Sequence, residues 1–289
     1  MYSNLPVSEC HGLGSVQENV PVGTVLDAVM AESQSTVVYT IIDGNHDNCF
    51  FLNPNSGVVS TTRIVDYEQH HFFNLTILAS NIVGATATAH MLVHVTDEND
   101  NRPQFPALAF FGNISESAEP GSMVLTVEGS PLVIQASDAD SGENSLLEYE
   151  IVEAEASQYF TIDANTGAIK TLSSLDHETT SVFNFTVQVH DRGNPRHSAQ
   201  APARVIIFIA DINDTPPRFT EHTYEAKVLL PTYHDVSVVT VQAVDLDTVN
   251  NMALTYSIVG GNLDNIFAIN PQSGMLHVER VQNIRDRYV

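Results

Sequence analysis

Apolar and polar side chains alternate along most of the chain. Phe73, Leu75 and Ile77 interleave with Asn74 and Thr76, and Ala79 keeps the phase. Phe183, Phe185, Val187 and Val189 interleave with Asn184, Thr186 and Gln188. Met91, Val93 and Val95 repeat the period, as do Val205, Ile207 and Ile209. A period of two puts successive side chains on opposite faces, so these segments predict strands with one face buried. No stretch keeps a helical period over three turns.

The strand pattern recurs as a unit. Phe51-Leu52-Asn53-Pro54-Asn55-Ser56-Gly57, Phe160-Thr161-Ile162-Asp163-Ala164-Asn165-Thr166-Gly167 and Phe267-Ala268-Ile269-Asn270-Pro271-Gln272-Ser273-Gly274 share one shape: an apolar anchor, a turn and another apolar stretch. The three phenylalanines lie 109 and 107 residues apart. Val37-Val38-Tyr39-Thr40-Ile41, Leu147-Glu148-Tyr149-Glu150-Ile151 and Leu254-Thr255-Tyr256-Ser257-Ile258 precede them in phase. Asp97-Glu98-Asn99-Asp100-Asn101-Arg102-Pro103 and Asp211-Ile212-Asn213-Asp214-Thr215-Pro216-Pro217 close two of the units, where proline stops the preceding strand. Many short strands in units of about 110 residues read as β-sandwiches. The expectation is an all-β, elongated array of tandem Greek-key sandwich repeats over 1–103, 104–217 and 218–289. The third is incomplete, ending at Val289 before its last strands.

Charge changes the picture. The 289 residues carry 35 acidic and 11 basic side chains, for a net charge of −24, with 43% hydrophobic residues. A chain this acidic does not present the basic footprint that nucleic acid or anionic lipid requires. The acids fall in recurring pairs at strand ends: Asp66-Tyr67-Glu68, Asp138-Ala139-Asp140, Asp176-His177-Glu178, Asp191-Arg192-Gly193 and Asp245-Leu246-Asp247, with Glu18 and Glu116 in matching early positions. Unit charges about 4 Å apart repel by several kcal/mol at an effective dielectric near 20. Oxygen-rich clusters answer that repulsion by taking Ca²⁺, which accepts 6–8 oxygens, more readily than Mg²⁺. Paired carboxylates also serve glycoside hydrolysis. These pairs recur at each boundary, whereas a catalytic site occurs once, and no nucleophile elbow or phosphate loop is present. The chain therefore reads as a non-enzyme, with a Ca²⁺-dependent hydrolase as the discarded alternative.

In combination, Glu18, Asp97-Glu98-Asn99-Asp100-Asn101, Asp138-Ala139-Asp140, Asp176-His177-Glu178 and Asp191-Arg192-Gly193 resemble the extracellular repeats of the cadherin superfamily, over essentially the whole chain. Absence of Trp sets the chain apart from classical adhesive tips. The Ser141-Gly142-Glu143-Asn144 extension resembles protocadherins and the giant Fat-like members. The resemblance implies Ca²⁺ at inter-repeat junctions and rigid rods where junctions are full. It also implies an extracellular location in a membrane-anchored parent, and another cadherin-family ectodomain as partner, homophilic or heterophilic. The alternative is a passive spacer whose partner surface lies on other repeats.

Carried over residue by residue, the resemblance gives junction one Glu18, Asp66, Glu68, Asp97, Asn99, Asp100, Asn101, Asp138, Asp140 and Asp191, with carbonyls of Glu98 and Asn144 completing the shells. It gives junction two Glu116, Asp176, Glu178, Asp211, Asn213, Asp214, Asp245 and Asp247. The departures are specific. Glu32-Ser33 stands where repeat one needs Asp-x-Asp, and Asn81 where repeat two has Asp191. Lys227-Val228-Leu229-Leu230 replaces the early Glu of repeat three, Arg285-Asp286-Arg287 falls near its Asp-x-Glu, and Thr215 replaces Asn101 at junction two. The departures in repeats one and three imply depleted flanking junctions, while Thr215 leaves the third ion of junction two the least supported.

The remaining features stay open. Cys10 and Cys49 form either one intradomain disulfide or two thiols. N-x-S/T sequons occur at Asn74, Asn113, Asn184 and Asn213. Asn74 and Asn184 should point to solvent, while Asn213 is expected to remain unmodified as a ligand. His70, His71 and His177 read as surface residues beside the acids.

Overall fold

The computed structural model describes residues 13–247 and 254–281. Cys10, Arg285-Asp286-Arg287 and Val289 fall outside these residues, as does the proposed Cys10–Cys49 pairing; Cys49 itself is buried. The chain is almost entirely strand and turn. Among the described residues no helix is long and apolar enough to cross a membrane.

The first repeat has seven strands: β1 (Leu13–Gln17), β2 (Val25–Ala28), β3 (Val37–Asp43), β4 (Phe50–Leu52), β5 (Val58–Thr61), β6 (Phe72–Asn81) and β7 (Thr86–Thr96). They form one sheet in the order β1-β7-β6-β3 and another in the order β2-β5-β4. The alternation read from the sequence is the pleat of β6 and β7. Phe73, Leu75, Ile77, Met91 and Val93 are buried at 2% exposure or less, and they pack with Val16, Tyr39, Phe50, Leu52 and Val59. β1 runs parallel to β7, with Val16 opposite Val95, which delivers Glu18 beside the end of β7.

The second repeat continues with β8 (Ala109–Ser115), β9 (Glu148–Ile151), β10 (Phe160–Ile162), β11 (Ile169–Thr171), β12 (Val182–His190) and β13 (Ala203–Ala210). Its sheet order β8-β13-β12-β9 copies that of the first, with β8 again parallel to β13. The third contributes β14 (Arg218–Phe219), β15 (Ser237–Thr240), β16 (Ala243–Val244), β17 (Phe267–Ile269) and β18 (Met275–Val278). These pair as β15-β18-β17 and β14-β16.

Two sequence repeats acquire a physical reason here. In the turns, Asn53, Asp163 and Asn270 each accept two backbone N–H bonds from the residues two and three positions on. Gly57, Gly167 and Gly274 follow at φ near +70°. A Cβ there would lie 2.0–2.2 Å from the carbonyl oxygens of Val29, Ile134 and Val241, so only glycine fits. This fixed turn corrects one alignment. Counting back from it, the counterpart of Phe160 and Phe267 is Phe50, which is buried and edge-on to Phe73, whereas Phe51 is 51% exposed. The second reason concerns the repeated tyrosines. The hydroxyls of Tyr39, Tyr149 and Tyr256 accept the backbone N–H of Ala31, Ala136 and Ala243 at 2.9, 2.9 and 3.0 Å.

The chain divides into two compact units. One holds the residues up to Leu108 with Gln135–Glu150 and Gln188–Pro202; the other holds Ala109–Ile134, Ile151–Val187 and the residues from Ala203 onward. Each unit contains one acidic cluster.

Candidate metal centres

The first cluster is assembled on Glu18, which follows β1 and is 1% exposed. Its Oε2 accepts the Tyr67 N–H and its Oε1 the Glu98 N–H, both at 2.7 Å. One carboxylate thus ties the Asp66-Tyr67-Glu68 turn to the segment leaving β7. Oxygens of Glu18, Asp66 and Glu68 gather within 4.8 Å of one another, and so do oxygens of Glu68, Asp100 and Asp140. Glu68 belongs to both groups.

Amides hold the other members in place. Asn19 donates to Asp100 at 2.5 Å, and Asn101 donates to Asp100 at 2.8 Å. The Asn101 side chain and backbone N–H both donate to Asp140 Oδ1, at 2.7 and 3.2 Å. Asn144 donates its side-chain amide to Asp97 at 2.7 Å. Asp191 is fully buried, accepting from Asn99 at 3.1 Å and from the backbone of Gly193 and His197 at 3.0 and 2.9 Å. A Cβ at position 193 would lie 2.2 Å from the Asn99 side chain, so any larger residue there would displace Asn99 from Asp191. Asp138 Oδ1 accepts the Asp140 N–H at 3.1 Å, fixing the spacing of that pair.

The second cluster repeats the cradle. Glu116, 6% exposed, accepts the His177 N–H and the Ile212 N–H, both at 2.6 Å. Glu116, Glu178 and Asp214 converge, as do Glu178, Asp211 and Asp247. The Thr215 N–H donates to both oxygens of Asp247 at 3.2 Å, and Asp245 accepts the Asp247 N–H at 3.1 Å. Asp176 is held by Thr179, through its N–H at 3.2 Å and its hydroxyl at 2.8 Å, and Asn213 is exposed in the linker.

The clustering strains the carboxylates electrostatically. Burial, followed by the charges of Glu18, Asp100 and Asp66, pushes the Glu68 carboxyl up to about 7. Burial also raises Asp138, with Asp191 adding to it, and Asp140, with Asp138 and Asp97 adding to it. Glu178 is raised in the same way, by burial and then by Glu116. Asp176 is lowered by its hydrogen bonds from Thr179.

The donor set fits a hard divalent cation. Glu68 Oε1, Asp97 Oδ1, Asn99 Oδ1, Asp138 Oδ2 and Glu178 Oε1 are buried oxygens without a hydrogen-bond partner. Buried acceptors of this kind cost about 1–3 kcal/mol each when left unmatched. All are oxygens, as Ca²⁺ requires, and they come from chain segments far apart in sequence.

Sequence reading missed the amides that orient the acids, Asn19 and Gln17 among them; Gln17 donates to Glu98 at 2.9 Å. Only the position of Asn19 beside Glu18 could have signalled it. It also misplaced the polar counterpart in repeat one. The Tyr39 bond to Ala31 matches Tyr149 to Ala136, so Ser33 and Ser35, not Glu32-Ser33, occupy the Asp138 and Asp140 positions. The Ser35 N–H donates to Ser33 Oγ at 3.2 Å, just as Asp140 does to Asp138. Asn81 does match Asp191: its Oδ1 accepts from Val83 and Ala85 at 3.1 and 3.0 Å.

Comparison with known proteins converges on one family. A cadherin-domain profile matches residues 13–96 and 110–208. Human Protocadherin Fat 1 is 46% identical over 94% of the chain, and the Drosophila melanogaster Fat-like cadherin-related tumor suppressor homolog is 38% identical over 93%. The chain spans 6% of the length of each. The crystal structure of mouse Cadherin-23 EC22-24 superposes with a TM-score of 0.77 at 29% identity, covering 96% of this chain and 89% of that one. These matches, with the sandwich topology and the recurring acidic cradles, show that the chain belongs to the cadherin family, with strong similarity to Fat-type protocadherins.

Proposed function

We propose that the chain is a stretch of three tandem repeats, over 1–103, 104–217 and 218–289, from a Ca²⁺-dependent adhesion or recognition ectodomain. The observation that carries this reading is the convergence of carboxylate oxygens on Glu68 and Glu178, each of which holds a buried oxygen without a hydrogen-bond partner. Glu18, Asp66, Glu68, Asp97, Asp100, Asp138, Asp140 and Asp191 hold one set of ions, with Asn99, Asn101 and the carbonyls of Glu98 and Asn144. Glu116, Asp176, Glu178, Asp211, Asn213, Asp214, Asp245 and Asp247 hold the other. Bound Ca²⁺ supplies the positive charge that lets these carboxylates stay ionised side by side.

The protein's part is preorganisation. Glu18 and Glu116 each fix two chain segments by charge-assisted hydrogen bonds before any ion arrives. Asn99 and Asn101 link the segment after β7 to Asp191 and Asp140. Neutralising these shared carboxylates removes a repulsion that otherwise pushes the segments apart, so ions stiffen both clusters. A stiff ectodomain extending from the cell surface then presents its faces to another cadherin-family ectodomain, of the same or a different kind.

The test is a calorimetric Ca²⁺ titration of the chelator-stripped chain, paired with small-angle scattering. Four convergent carboxylate groups predict at least four ions per chain and a larger maximum dimension in Ca²⁺ than in chelator. Affinities should fall near the micromolar-to-millimolar range of extracellular modules. Absence of saturable binding would overturn the reading. If ions bind but beads coated with the chain do not cluster in Ca²⁺, the stretch acts as a spacer.

A further inference from the structure

The third repeat carries a cluster of different chemistry that shares no residue with either acidic centre. His234 and Asp235 lie just before β15, and His277 and Glu279 lie on and just after β18. The ladder sets their spacing. Ser237 is opposite His277; the Asp235 N–H donates to the Val278 carbonyl at 2.8 Å, and the Val278 N–H to the Val236 carbonyl at 3.0 Å. Val278 is fully buried against Ile266, so His277 and Glu279, its neighbours on either side, both face outward. Asp235 sits at φ +62° in the left-handed region, a conformation Asp tolerates better than most residues.

Four side chains meet on this face. His234 Nδ1 lies 2.9 Å from Asp235 Oδ2, and His234 Nε2 lies 3.6 Å from Glu279 Oε2. His277 Nε2 lies 3.8 Å from Asp235 Oδ1 and 3.7 Å from the same Glu279 oxygen. Among the described residues, the other convergent groups of three or more potential ligands are built from carboxylates alone. Elsewhere His70 meets only Asp47 and His190 only Glu150 among carboxylates.

We infer that His234 Nε2, His277 Nε2 and Glu279 Oε2 form a binding site for a borderline transition-metal cation of the Zn²⁺ type, with water as a fourth ligand and Asp235 orienting His234 through Nδ1, independent of the Ca²⁺ centres. When the His234 Nδ1–H bonds to Asp235, the neutral ring turns the lone pair of Nε2 towards a carboxylate oxygen. Two lone pairs facing each other at this distance are unfavourable without a proton or a metal cation between them. Ligands about 2.0–2.1 Å from Zn²⁺ in a tetrahedron stand about 3.3 Å apart. The observed separations of Glu279 Oε2 from His234 Nε2 and His277 Nε2, 3.6 and 3.7 Å, need only a few tenths of an ångström of contraction. Two imidazoles with one carboxylate suit Zn²⁺ or Cu²⁺, whereas Ca²⁺ takes oxygen alone. The Asp235–His234 bond is the usual carboxylate support of a metal-binding imidazole. Arg280 is adjacent, but its guanidinium reaches the Asp264 carbonyl at 3.5 Å.

The experiment is a Zn²⁺ titration of the full chain in saturating Ca²⁺, which blocks the carboxylate centres, with Co²⁺ absorption as the readout of coordination. One site per chain is expected, with the intense visible bands of four-coordinate Co²⁺. His277→Gln and His234→Gln should each weaken it about tenfold or more, while His190→Gln leaves it unchanged. His234 is exposed and His277 half-buried, and an unchanged Ca²⁺ titration shows that the fold and the acidic centres are intact. Zn²⁺ binding that persists equally in the H234Q/H277Q double variant, or no binding in the parent chain, would overturn the inference.

Discussion

The two acidic centres share a cradle and differ in how it is finished. Glu18 and Glu116 each accept two backbone N–H groups at 2.6–2.7 Å, and Glu68 and Glu178 each belong to two convergent groups. The first centre adds amides: Asn101 joins Asp100 to Asp140, and Asn99 reaches the buried Asp191. The second has Thr215, whose hydroxyl reaches only Asp214, at 3.3 Å, and whose N–H alone reaches Asp247. The recurring part is therefore backbone-based and tolerates variation such as Tyr67 against His177. The variable part is the side-chain scaffold, and it decides how firmly the carboxylates are held before an ion binds.

Removing Ca²⁺ should have the largest effect on this comparison. Each site filled to a hundred times its Kd adds about 2.7 kcal/mol, so chelation should lower the melting temperature by about ten degrees or more. An unchanged scan would mean that neither centre binds. Next come the bridging carboxylates. Glu68→Gln and Glu178→Gln should each remove two ion sites from their own centre only, read as lost calorimetric stoichiometry. Loss from both centres would break the view that they are separate.

An exchange of scaffolds sharpens the comparison further. Asn101→Thr should weaken the first centre several-fold and Thr215→Asn should tighten the second, both measured by Ca²⁺ titration. Equal affinities in parent and variants would assign the difference elsewhere.

The pH dependence is smaller and has a defined sign. Glu68 is raised from 4.5 to about 7 in the ion-free chain. Its stabilising contribution is present below the unfolded value and is lost as pH rises through about 7. In chelator, melting temperature should therefore fall between about pH 4.5 and 7. In saturating Ca²⁺ it should rise over the same window, because only ionised carboxylates hold the ion. Parallel curves in the two conditions would contradict the assignment. Tyr149→Phe should have the smallest effect, costing about 1 kcal/mol through the lost bond to Ala136, with Ca²⁺ affinity at the first centre lowered slightly as Asp138 loses its anchor.

Much of this was legible in the sequence. Period-two alternation identified β6, β7, β12 and β13, because half-buried strands must alternate. The acids that converge on Glu68 and Glu178 were legible because their motifs recur in phase. Register was harder to read. Phe51 stood in for Phe50, and Glu32-Ser33 for Ser33 and Ser35, because adjacent similar residues give the same pattern one position apart. Only the turn around Gly57 and the Tyr39 hydroxyl bond settle these registers.

The amino-acid order by itself determined the strand periodicity, the recurring turns and the residue types able to hold hard cations, since these are local properties of spacing and chemistry. Tertiary structure decided which atoms meet. Glu18 binds the backbone of Tyr67 and Glu98 across separations of 49 and 80 residues. His234 reaches Glu279 because β15 and β18 pair with Ser237 opposite His277. Contacts between segments so far apart depend on how sheets close and pack, a collective outcome that no local pattern encodes.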